Sequence, residues 1–350
     1  MNSKFLLFSL PCILIGTAIN ACSAPGLWTD PGDESLPPSF PVQGEYAGEK
    51  LGAQVIALGK GQLHAVLYTG GLPGAGWDGK NRSLLTGTID GEGATFSPAE
   101  GKRKYLAGPA AEFSATSTFP PQGHLPCTGA ISGDQFTITD DTGRTLSLKK
   151  TQRVSPSMGA TAPSGAKVLF DGTHADAFNG GRFDAATKLL NTDGKDIRTK
   201  DKFNNYTMHI EFMLPFRPDA RGQGRGNSGF YQVDHYEVQI LDSFGLEGKN
   251  NECGGVYTKA EPIVNMCAPP LSWQTYDVEF TNSVADENGN KVKNAFITVK
   301  HNGVTIHDNL EISGKTGGSR KDPEGTPGVI KLQGHGNPLQ YRNIWIVERP

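Results

Sequence analysis

Apolar and polar side chains alternate with a period of two over several stretches of this chain, which is the pattern of strands buried on one face. Over residues 206–214, Met208, Ile210, Phe212 and Leu214 share one face, while Thr207, His209, Glu211 and Met213 share the other. Residues 274–280 alternate in the same way. In residues 227–242 two short strands are predicted around a tight turn. On the second of these, Tyr236, Val238 and Ile240 point one way and Glu237 and Gln239 the other. Asp242 is out of step by one residue and rejoins that face only through a β-bulge near Leu241. Asn302-Gly303 between two apolar-rich runs predicts a hairpin with a type I′ turn. Strands are also predicted at 329–333 and 341–347.

These elements divide the chain. Residues 43–150 carry successive hairpin signals, around Gly-Lys-Gly 59–61, Asp90-Gly91, Ser132-Gly133 and Thr142-Gly143, and are predicted to form a small antiparallel β domain, either a barrel or a sandwich. Residues 151–166 read as a linker by composition, and 23–42 as a flexible tether rich in Pro, Gly and Ser. Residues 167–350, with many strands and almost no helix, are predicted to be a two-sheet β-sandwich whose concave face can hold a chain-like ligand. The fold class is all-β. With 45 Gly and 23 Pro the chain has little room for long helices.

A net charge of −3 gives no basic field for a polyanion, so nucleic acid is not an expected partner. Residues 1–22 read as a targeting segment: Lys4 precedes a mainly apolar run over 5–19, shorter than the roughly 20 residues of a membrane span. Either Ile-Asn-Ala-Cys (19–22) is a lipobox and Cys22 is lipidated, or an ordinary secretory signal is cut nearby. Both imply export, to the periplasm or to the outer membrane as an anchored lipoprotein, with the lipid as the only membrane contact. Export permits disulfides. Cys253 and Cys267 bracket a Gly-, Pro- and Asn-rich loop that a bridge would pin, leaving Cys127 as a buried thiol.

Candidate chemistry is concentrated in the second domain. Glu237-x-Gln239-x-x-Asp242 places two carboxylates and an amide along one strand, a set able to divide acid, base and hydrogen-bonding roles, or an ordinary solvated face. His335 stands between Gly334 and Gly336 just past a strand, as a base, an oxyanion donor or a capping residue. Gly226-Asn227-Ser228-Gly229 is either a substrate-binding turn or only a turn. The run Gly70 to Gly79 has no helix after it to hold a phosphate and reads as a hairpin loop. Asp286 to Asn290 begins like a calcium loop, but Lys291 stands where glycine is required and Ile297 where the bidentate Glu belongs, so a hairpin turn is expected.

From about residue 167 onward the chain resembles the bacterial 3-keto-disaccharide hydrolase domain family. The resemblance is carried by Val-Leu-Phe-Asp-Gly (168–172), Asn-Ser-Gly-Phe-Tyr (227–231), Tyr-Glu-Val-Gln-Ile-Leu-Asp-Ser (236–243), Cys-Gly-Gly-Val-Tyr (253–257), Trp-Gln-Thr-Tyr-Asp-Val-Glu-Phe (273–280), His-Asn-Gly-Val-Thr-Ile-His-Asp-Asn (301–309), Lys-Leu-Gln-Gly-His-Gly-Asn-Pro (331–338) and Arg-Asn-Ile-Trp-Ile (342–346). Such sequences commonly read Gln-Asp-His-Gly where this one has Gln333-Gly334-His335-Gly336, which removes any role for an acid at 334. The resemblance implies a concanavalin A-like jelly roll. It is also similar to glucanases of that fold, whose Glu-x-Asp-x-x-Glu frame reads Glu237-x-Gln239-x-x-Asp242 here. Gln239 cannot ionise, which argues against an ordinary retaining displacement.

The family implies a 3-keto-disaccharide or 3-keto-glycoside substrate, opened by enolisation and elimination and then hydrated. The expectation is that Glu237 and His335 share acid and base roles, while Asn227, Gln239, Asp242, Gln333 and Arg342 bind substrate hydroxyls or the enediolate. A divalent metal could hold the oxyanion, but no ligand set compels one. The alternatives are a non-catalytic carbohydrate-binding lipoprotein and an ordinary endo-glucanase.

Overall fold

A computed structural model describes residues 26–350, so the targeting segment and Cys22 lie outside the described residues. Among the described residues no helix is long and apolar enough to cross a membrane.

The predicted hairpins of the first domain form a closed barrel. Its strands are Gly44–Ala47, Leu51–Ala57, Gln62–Thr69, Arg82–Asp90, Gly93–Pro98, Cys127–Ser132, Gln135–Asp140 and Thr145–Thr151. Each runs antiparallel to the next, and Glu45 pairs with Thr151 to close the ring, leaving no edge open. Alternate residues such as Val55, Leu63, Leu67, Phe96, Phe136 and Leu148 fill the interior. One wall of the barrel is apolar outside as well. Ile56, Leu58, Val66, Tyr68 and Leu84 belong to the apolar cluster of the second domain, so the barrel is packed onto its neighbour. Cys127 is a buried thiol in the barrel.

The second domain is a sandwich. One sheet has the order Arg182–Asp184, Leu189–Asn191, Gln340–Arg349, Asn205–Met213, Trp273–Thr281, Ala295–His301 and Val304–Ile312, with Lys167–Phe170 beside Gln340–Arg349. The other has five strands in the order Phe178–Asn179, Ile197–Thr199, Lys331–Leu332, Ser228–Gln232 and Tyr236–Ile240. Met208, Ile210 and Phe212 of the first sheet meet Phe230, Val238 and Ile240 of the second in the core. Each such side chain, fully buried, contributes about 1.5–3 kcal/mol. The period of two then determines what faces away from this core: Glu237 and Gln239 on one side of the sandwich, 3% and 1% exposed beneath other segments of the chain, and His209 and Glu211 on the other. Asn302 and Gly303 take φ of 49° and 80°, as a type I′ hairpin requires. Asp286 Oδ1 accepts the N–H groups of Asn288 (2.9 Å) and Asn290 (2.8 Å) and so builds a turn.

Three expectations need correction. Residues 26–42 are packed rather than free: Trp28 and Phe216 exchange backbone hydrogen bonds of 3.0 and 2.9 Å, and Phe40 packs on the Phe216 ring. The 151–166 stretch is strapped over the outer face of the larger sheet, where Gly159 N–H donates to Glu211 (2.6 Å) and Ser157 to Asp277 (2.6 Å). Cys253 and Cys267 are free buried thiols, not a disulfide. The loop between them is held instead by Asn265, whose amide donates to Ser243 O (2.8 Å) and Leu246 O (3.1 Å).

Candidate active site

Register across the five-stranded sheet assembles the site. Glu237 lies opposite Tyr231, Tyr231 opposite Lys331, and Lys331 opposite Arg198. Residues directly paired across strands point to the same side, so these four side chains form one row. Tyr231 Oη donates to Glu237 Oε2 at 2.8 Å and lies 2.8 Å from Gly317 O. The Lys331 ammonium sits 3.5 Å from the centroid of the Tyr231 ring, pairs with Asp234 at 2.7 Å and donates to Gly318 O at 2.6 Å. Gln333 Nε2 reaches Tyr231 Oη at 3.4 Å. Gly229 has no Cβ because a Cβ there would stand 2.1 Å from Glu237 Oε1.

The turn that joins the two strands is strained. Val233 and Asp234 have φ of 46° and 55°, and left-handed backbone costs a β-branched residue about 1–2 kcal/mol. What the turn achieves is to swing Asp234 back under Lys331. The 313–328 segment then covers the face: Thr316 N–H and Arg320 N–H donate to His235 O (3.0 Å) and Asp234 O (2.8 Å), and Thr316 Oγ1 accepts from Glu237 N–H (3.0 Å).

Burial pushes the Glu237 carboxyl up to about 7, against the Tyr231 hydroxyl and the Lys331 ammonium, which pull it down. Burial and the adjacent Glu237 raise Tyr231 far above the usual phenol range, so it remains a proton donor. The site therefore contains a carboxyl that changes protonation near neutrality, with a phenol bonded to one of its oxygens.

Three of the sequence-predicted residues lie beside this row. Gln239 and Asn227 donate to Gln223 Oε1, each at 3.1 Å, and leave their own carbonyl oxygens buried without partners. Gln333 completes the group. The structure separates the others from it. Asp242 does not return to the face, because the strand ends at Ile240 and the carboxylate is taken up by Arg225 at 2.6 Å. Arg342 projects from the opposite side of the sandwich, bonded to Glu211 at 2.6 Å and lying 4.0 Å over the Trp273 ring. His335 is exposed on the turn after Lys331–Leu332, with the Ser228–Gln232 strand between it and the strand of Glu237. Its ring takes no part in the hydrogen bonds that hold Glu237. The sequence reading missed Tyr231 and Lys331. A signal for Tyr231 existed, because a hairpin that pairs Gln232 with Tyr236 must also pair Tyr231 with Glu237. Among the described residues no three His, Cys, Asp or Glu side chains converge as a metal-binding set.

Residues 165–347 match the family model described as a 3-keto-alpha-glucoside-1,2-lyase-like domain; the barrel lies outside the match. Among solved structures, a candidate glycosyl hydrolase from Parabacteroides distasonis ATCC 8503 is 34% identical, over 54% of this chain and 86% of that one, with a TM-score of 0.50. A second candidate glycosyl hydrolase from the same organism is 18% identical over 53% of this chain and 94% of that one, at a TM-score of 0.40. No curated protein matches the chain.

Proposed function

This chain belongs to the 3-keto-alpha-glucoside-1,2-lyase-like domain family, and we propose that it opens the glycosidic bond of 3-keto-glycosides by elimination followed by hydration. Its function is glycoside-hydrolase-like; the keto substrate and the route are our reading. The observation that carries the reading is the buried Glu237 carboxyl, raised to about 7, with only one of its oxygens bonded to Tyr231. A base is most effective when it titrates near the working pH.

In the proposed sequence, Glu237 removes the proton from carbon 2, which the ketone at carbon 3 acidifies. The electron pair of that bond moves into the ketone and gives an enediolate. Tyr231 and Lys331 supply a hydroxyl and a positive charge close to the developing oxyanion. Collapse forms the carbon 1–carbon 2 double bond and breaks the bond from carbon 1 to the leaving oxygen, which takes the proton from Glu237. Water then adds across the double bond, its hydroxyl to carbon 1 and its proton to carbon 2. Gln239, Asn227 and Gln333 hold the remaining hydroxyls.

The test is to offer the purified protein a 3-keto-disaccharide and its unoxidised parent. The reading expects cleavage of the first alone, lost in Glu237→Gln. Cleavage of the parent glycan would replace it with an ordinary endo-glucanase, and binding of both without turnover would replace it with a carbohydrate-binding protein.

A further inference from the structure

We propose that the N-terminal barrel is a positioning element of the site. It holds the 219–225 loop so that Gln223 orients the Asn227 and Gln239 amides to accept hydroxyl protons from a sugar. The inference rests on the function proposed above, since an oriented sugar-binding edge presupposes a sugar.

The loop is gripped on both sides of Gln223. Arg221 Nη2 donates to the barrel carbonyls Leu58 O (2.8 Å) and Gly108 O (3.3 Å). Arg225 Nη1 donates to Ala57 O (2.9 Å), while its Nε holds Asp242 (2.6 Å). The last acid of the glucanase-like frame thus serves to dock the barrel. Contact between the two units is close. Gly59, at φ 86°, passes Asp219 so nearly that a Cβ would meet Asp219 Oδ1 at 1.9 Å. From the barrel's 104–114 excursion, Tyr105 hydrogen-bonds Glu252 Oε1. Glu252 Oε2 accepts the N–H groups of Gly248 (2.8 Å) and Lys249 (2.9 Å), fixing the turn that carries Asn251 O.

That carbonyl determines the orientation of the amides. A backbone carbonyl can only accept, so Gln223 must turn its Nε2 toward Asn251 O, at 2.8 Å. Its Oε1 then accepts from the NH2 groups of Asn227 and Gln239, both at 3.1 Å, and backbone carbonyls of the same two loops hold those NH2 groups as well, Gln223 O on Asn227 at 2.9 Å and Asn251 O on Gln239 at 3.3 Å. What remains is Asn227 Oδ1 and Gln239 Oε1, two acceptors in residues only 1% exposed, with no donor. Buried acceptors of this kind ordinarily find a partner, and the hydroxyls of a carbohydrate are donors of the required type.

The test measures kcat and KM for a 3-keto-disaccharide, its Kd on the Glu237→Gln background by calorimetry, and melting temperature. The variants are Arg221→Ala, Arg221→Lys, Gln223→Ala and the double Arg221→Ala/Gln223→Ala. Loss of one oriented hydrogen bond predicts a rise of about fivefold in KM and Kd for Arg221→Ala, with kcat changed less than twofold and partial recovery in Arg221→Lys. The double variant is expected to bind less weakly than the sum of the two single effects, because both loosen one loop. A merely structural barrel would lower the melting temperature and leave KM and Kd of the folded protein unchanged, or make the two effects additive; either result overturns the proposal. Should Arg221→Ala not fold, Tyr105→Phe carries the same comparison, with a rise of about twofold expected and none refuting. Gln223-dependent binding without turnover would overturn the enzyme and support the positioning; absence of sugar binding would overturn both.

Discussion

Glu237→Gln is expected to stabilise the folded protein while abolishing turnover, and the gain should depend on pH. Burial raises the carboxyl from its ordinary 4.5 to about 7 in the native state. Between those values the folded chain holds a proton that the unfolded chain has lost, so stability falls as pH rises through this window. Below 4.5 both states are protonated and the effect vanishes; above 7 the native carboxylate is charged and its full cost is present. The shift corresponds to roughly 3 kcal/mol. A glutamine retains the acceptor oxygen for the Tyr231 hydroxyl, now 2.8 Å from Glu237 Oε2, and carries no charge at any pH. The assay is denaturant unfolding of both proteins from pH 4 to 9. Every other titrating group is common to the two, so the difference isolates this carboxyl. The difference should be small at pH 4 and grow to about 3 kcal/mol in favour of the variant by pH 8. A difference that stays flat across the series would refute the raised carboxyl and with it the argument for a base poised at neutrality.

Tyr231→Phe removes the donor that partly holds the Glu237 carboxyl down, so the rising limb of the kcat/KM–pH profile should move to higher pH, with kcat lower by about 10- to 100-fold. Lys331→Met leaves the buried Asp234 with only Arg198, 3.5 Å away, in place of its partner at 2.7 Å; unfolding should show a loss of about 2 kcal/mol, largely recovered by adding Asp234→Asn. On the outer face, burial opposes ionisation of Glu211, but bonds from His209, Asn343, Arg342 and Gly159 prevail and hold it down at about 2. Its contribution is therefore present above 4.5 and lost as pH falls toward 2, and protease cutting within residues 151–166 should increase over that range and, in Glu211→Gln, at neutral pH as well. Cys22→Ala should move the protein from the membrane to the soluble fraction if Cys22 is lipidated, and leave fractionation unchanged if it is not.

The face that carries Glu237 could be read from sequence because strand periodicity alone decides it: with Val238 and Ile240 in the core, Glu237 and Gln239 must lie outside. The Asn302-Gly303 turn was legible for a similarly local reason, since few residue pairs accept positive φ twice. Residues brought in by tertiary pairing were not legible. Lys331 reaches Tyr231 only because Lys331–Leu332 is inserted between Ile197–Thr199 and Ser228–Gln232, an order no local pattern encodes. Arg342 misled for the same reason: its strand belongs to the larger sheet, where Glu211 takes its charge. Asp242 shared a frame with Glu237 but not a face, because the chain leaves the sheet at Ile240. Arg221 and Arg225 grip the barrel through backbone carbonyls at 57, 58 and 108, which carry no side-chain signal.

If Glu237 takes a proton from the carbon beside a ketone, incubating the protein with a 3-keto-disaccharide in deuterated water will record it. The expected result is deuterium at carbon 2 of the released keto sugar, and its loss, together with cleavage, in Glu237→Gln. Cleaved product with ordinary hydrogen at that carbon would contradict it.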